Sequence, residues 1–76
     1  MKPKERVELG QRSLAAFNNA RKLEKQLQEY KSAPLIYESQ HPDFDVDETI
    51  RLYQEFMDEF DKTFKQLQED YANGQN

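Results

Sequence analysis

Between Ile50 and Tyr71 the apolar residues recur at alternating intervals of three and four: Ile50, Tyr53, Met57, Phe60, Phe64, Leu67 and Tyr71. That spacing keeps one face of an α-helix turned toward a partner. No glycine or proline interrupts the run, and the Gln, Glu, Lys and Arg residues between the apolar positions are good helix formers. Leu52 and Phe56 widen the face beside the seam. The pattern predicts a helix over about residues 47–72. A second run, over about residues 5–31, places Leu9, Ser13, Ala16, Ala20, Leu23, Leu27 and Tyr30 on one face. Val7, Leu14 and Phe17 form a second strip beside it. Gly10 is the weak point of this helix, costing about 1 kcal/mol against alanine. It marks either a late helix start or the close approach of another helix.

The segment between the two runs carries its own punctuation. Ser32-Ala33-Pro34 resembles a helix start, with Ser32 as cap and Pro34 in the first turn. Leu35, Ile36 and Tyr37 then form one turn, at about residues 34–39, that covers the open end of the pair. His41-Pro42-Asp43 is a break, because the residue before a proline is pushed out of the helical region. Asp45 or Asp47 caps the second long helix, and Asp45 with Glu48 fits the reciprocal capping box. Residues 1–4 and 73–76 are expected to fray, with Gly74 ending any remaining helix.

The expected fold is all-α: an antiparallel helical hairpin with a short connecting helical turn, one small domain over 1–76. Ser13, Ala16 and Ala20 are expected to face the large Met57, Phe60 and Phe64, small against large. Leu27 and Tyr30 would approach Ile50 and Tyr53, and Phe17 would approach Phe60 or Phe64. One hairpin buries one seam, which leaves Val7, Leu14, Phe17, Leu52 and Phe56 as interface candidates. Two hairpins packed face to face as a homodimeric four-helix bundle would cover them. The competing arrangement folds Leu35, Ile36 and Tyr37 back over the surplus in a three-helix monomer. A different protein covering Phe17 and Phe56 is the third arrangement.

Charge sharpens this picture. The net charge of −4 divides unevenly: residues 1–31 hold eight Lys or Arg against four Glu, and residues 32–76 hold three against eleven acids. The two halves complement one another, within a chain or between copies. The 76 residues include no cysteine, so disulfides and thiolate metal sites are excluded and an intracellular, cytoplasmic setting is favoured. No apolar run reaches the roughly 20 residues a membrane span needs, and the basic start lacks the apolar stretch of a secretory signal.

Candidate chemistry is sparse. Asp43, Asp45, Asp47 and Glu48 invite a calcium loop, but the sixth and twelfth positions from Asp43 are Glu48 and Gln54, where glycine and glutamate belong. Acids before a helix are expected as caps. His41 is the only histidine, so no multi-histidine zinc site forms in one chain. No Gly-rich phosphate loop, zincin pattern or nucleophile elbow is present. Neither an enzyme nor a cofactor is expected. The basic first helix, with Arg21, Lys22 and Lys25 clustered outward, raises nucleic-acid binding as the alternative, although Glu5, Glu8, Glu24 and Glu29 interrupt its cations. The leading expectation is a small acidic helical protein-interaction module, an adaptor or regulator, whose partners are a second copy and possibly another protein.

Overall fold

The computed structural model describes residues 1–74 as three helices: α1 (Pro3–Ser32), α2 (Pro34–Gln40) and α3 (Val46–Gly74). Among the described residues there is no strand, and no helix is long and apolar enough to cross a membrane. α1 and α3 pack along one another, and α2 packs on α1. Phe17 lies beside Phe60, Glu24 beside Tyr53 and Arg6 beside Asp70, so the two long helices run antiparallel. The result is a rod of 55 × 17 × 15 Å.

Both ends of α1 and α3 extend past the expected limits. α1 begins at Pro3, where the fixed proline φ suits a first turn and the missing N–H costs nothing. Of the residues expected to fray, 3, 4, 73 and 74 belong to the helices, and 75–76 lie outside the described residues. Gly10 sits inside α1 with an ordinary helical backbone, which removes the late-start explanation for it. A single residue, Ala33, separates α1 from α2, and it rather than Ser32 caps α2. The Ser32 hydroxyl instead donates back to the Gln28 carbonyl at 3.0 Å. Asp45 caps α3: its carboxylate accepts from the Glu48 N–H at 3.1 Å. The reciprocal half of the capping box is absent, because the Glu48 carboxylate pairs with Arg51.

The seam is thin. Leu9, Ser13, Ala16 and Ala20 are buried on α1, while Leu23, Leu27 and Tyr30 are half-buried. On α3 the buried line is Thr49 and Thr63, at 7% and 2% exposure, with half-buried Phe56 midway between them. Residues seven apart share a helix face, so Thr49, Phe56, Thr63 and Asp70 mark the side that meets α1. Tyr53, Met57, Phe60 and Leu67 are half-buried, whereas Ile50, Phe64 and Tyr71 are exposed. The seam on α3 is thus turned by about one residue from the aromatic line. Small residues explain the turn. Register from the Phe17–Phe60 pair sets Thr63 opposite the small, buried Ser13 and Ala16. Thr63 enters, and Phe60 and Phe64 stand on the flank, stacked at 5.4 Å.

Candidate interaction surface

Three contacts sort the two sides of the hairpin. The Phe17 and Phe60 rings lie 5.2 Å apart, and the Tyr53 hydroxyl donates to Glu24 at 3.4 Å, both on one broad side. Arg12 pairs with Glu59 at 2.7 Å on the other. Helical periodicity then carries the first side along each helix. On α1, Val7, Gly10 and Leu14 precede Phe17 in the same row, and Arg21 follows with its guanidinium 5.8 Å above the Phe17 ring. On α3 the row is Ile50, Met57, Phe60, Phe64 and Tyr71. Val7, Leu14, Ile50, Phe64 and Tyr71 are all exposed; Leu14 retains 58% and Phe64 45% of its accessible surface. Exposed and half-buried apolar residues thus line this side of the rod, with Leu14, Phe17, Phe60 and Phe64 near its middle.

The five residues singled out as surplus divide between the two surfaces. Val7 and Leu14 are exposed on the apolar side, and Phe17 is half-buried there against Phe60. Leu52 and Phe56 instead turn toward the α1–α3 seam, half-buried, because the threonine line draws them inward. Ile50, Phe64 and Tyr71 pass the opposite way, from expected core to outer face. Periodicity alone could not separate these sets, since the heptads 50-57-64-71 and 49-56-63-70 are neighbouring lines on one helix.

The connector leaves this face open. Tyr37 is the buried side chain of α2; it meets Phe44 at 4.8 Å, Tyr30 at 6.2 Å and the His41 ring at 4.2 Å. Phe44 completes the cluster against Tyr30 at 5.3 Å, a role the sequence pattern did not show because Phe44 belongs to no periodic run. Leu35 and Ile36, expected to cover the hairpin, are exposed at 79% and 62%. An open groove of about 360 Å³ lies beside the connector, lined by Leu27, Tyr30, Lys31, Pro34, Val46 and Ile50.

Electrostatics set the ends of the rod. Asp70 accepts from Arg6 Nε at 2.8 Å and lies 3.1 Å from the Met1 ammonium. The ammonium, then Arg6, holds the Asp70 carboxyl below its ordinary value. At the other end, desolvation and the hydrogen bond to Glu38 raise the Tyr30 phenol above its ordinary value. Among the described residues no group of three or more Asp, Glu or His side chains is placed to hold a metal ion. Asp45 of the acidic turn is engaged as a cap, and His41 stacks on Tyr37. Arg21, Lys22 and Lys25 are exposed and form no ion pair among the described residues. Comparison with protein-family models, with curated proteins and with solved structures finds no match to this chain.

Proposed function

We propose that the chain is a helical protein-interaction module, an adaptor or regulator, whose working surface is the apolar side built on Leu14, Phe17, Phe60 and Phe64. One observation carries the reading: Leu14 and Phe64 stay exposed on the same side as Phe17 and Phe60, whose rings are only half-buried against one another. A patch of large side chains on a small helical rod is the mark of a protein contact. Its shape, two helices side by side, fits another pair of helices, and the first such pair is a second copy of the hairpin, giving a four-helix bundle. Sedimentation equilibrium over a wide concentration range tests this. The expected result is a concentration-dependent rise above the 9.1 kDa monomer mass, abolished by Phe64→Glu with helix content intact. A monomer up to high concentration that still unfolds cooperatively would overturn self-pairing.

Nucleic-acid binding has one observation in its favour, the exposed Arg21, Lys22 and Lys25 group. The same group carries Glu24 within it and stands beside the acidic α3. Retention on immobilised DNA at low salt, lost as salt rises, would establish that rival.

A further inference from the structure

Resting on the self-pairing just proposed, we infer that the two hairpins join about a two-fold axis parallel to the helices, each α1 lying against the α3 of the other copy, with Gly10 as the seat for the partner's aromatic row. Two symmetric ways exist to lay the apolar sides together. An axis across the helices puts α1 over α1 and α3 over α3. An axis along them puts α1 over the other copy's α3, antiparallel, repeating the contact already made inside each hairpin.

Charge chooses between them. α1 carries seven Lys or Arg against four Glu, and α3 carries eight Asp or Glu against three basic residues. At the rim of the apolar side the contrast persists. Arg21 and Lys25 continue the Leu14 row on α1, and Asp61, four residues after Met57 and three before Phe64, borders both on α3. All three are exposed and without an ion pair among the described residues. Glu29 and Lys65 soften the contrast without reversing it. The crosswise axis would set basic rim against basic rim and acidic against acidic. The lengthwise axis instead sets the basic rim of one copy, Arg21 foremost, along the Asp61 side of the other copy's acidic α3. Complementary charge of this kind fixes orientation and register more than it adds affinity.

Gly10 supplies an independent observation. It lies in the exposed row between Val7 and Leu14, and a Cβ placed there would meet nothing within 4 Å. Its backbone is ordinary helix, so neither a turn nor a close contact inside the chain requires glycine. The missing side chain is a notch in an otherwise bulky face. In the lengthwise arrangement, the α3 of the other copy passes this notch at the level of its Phe64 and Tyr71, large against small.

The chain has no cysteine, so Gln40→Cys gives one spin-labelling site at the connector end of each rod. Dipolar distances measured between copies are expected to match the 15–17 Å thickness of the hairpins rather than their 55 Å length. A distance near the full length would overturn the orientation while leaving self-pairing intact. No coupling, with a monomer mass, would remove both. Gly10→Leu is expected to keep helix content and weaken self-association by roughly tenfold or more, as loss of a central packing contact does. Unchanged association would remove Gly10 as the seat.

Discussion

Asp70 closes the open end of the hairpin, held by Arg6 and the Met1 ammonium. Its carboxyl titrates below the ordinary value in the folded state, so the folded protein binds fewer protons there than the unfolded chain. Stability from this clamp is therefore complete above the unfolded carboxylate range, and it is lost as pH falls through the lowered folded value. Carboxyl NMR is expected to show Asp70 titrating last among the acids. Asp70→Asn should remove that part of the acid-induced loss seen in urea midpoints. A titration at the ordinary aspartate value would refute the clamp. Thr63 makes a different point. Its hydroxyl is bonded only within its own turn, to the Glu59 carbonyl at 2.8 Å and near that of Phe60 at 3.1 Å. These carbonyls already serve the helix, so Thr63→Val should shift stability by less than about 1 kcal/mol. Thr63→Phe, forcing a ring between Ser13 and Ala16, should cost about 1–3 kcal/mol by overpacking. Equilibrium denaturation distinguishes shape from hydrogen bonding at this position.

At the scale of elements, the helices are legible in the sequence and their rotation is not. Glycine- and proline-free runs with a three-four beat give α1 and α3 directly, and the small residues Ser13, Ala16 and Ala20 mark the α1 seam. On α3 the large aromatics dominate the pattern and draw the eye one residue away from Thr49 and Thr63. A hydropathy pattern weights bulk; a close helix contact rejects it. The same competition explains why Leu52 and Phe56 turn inward while Phe64 and Tyr71 stay out. Phe60→Ala follows from this placement. The ring is half-buried, stacked between Phe17 and Phe64, so its loss should cost less than the ~3–5 kcal/mol of a fully buried phenylalanine. A value near 2 kcal/mol in denaturant melts is expected, with a larger loss wherever self-pairing is populated. α2 rests on one side chain. Tyr37→Ala should release residues 34–44 to rapid amide exchange while the middle turns of α1 and α3 stay protected. Uniform loss of protection would mean that the cluster of Tyr30, Tyr37 and Phe44 supports the whole fold.

The whole molecule is long for what it buries. Among the described residues four apolar side chains, Leu9, Ala16, Ala20 and Tyr37, are buried, and two of them are alanines. Chains of this size hold little stability in reserve, and covering more apolar surface is the direct way to gain it. The exposed Val7, Leu14, Ile50, Phe64 and Tyr71, with half-buried Phe17, Met57 and Phe60 among them, supply that surface without any change of fold. Folding and association are thereby coupled: a partner that binds the folded hairpin and not the unfolded chain raises the unfolding midpoint by mass action. The expected outcome is a thermal midpoint that climbs with protein concentration and a steeper urea transition for the assembled form, as more surface is exposed on unfolding. Leu14→Glu places a charge at the centre of the apolar side, where Leu14, 58% exposed, contributes little to the packing of the hairpin itself. Its midpoint should become independent of concentration and equal the dilute limit of the parent chain. Should Leu14→Glu lower the dilute midpoint as well, Leu14 would be stabilising the hairpin itself, and the apolar side would be core rather than contact.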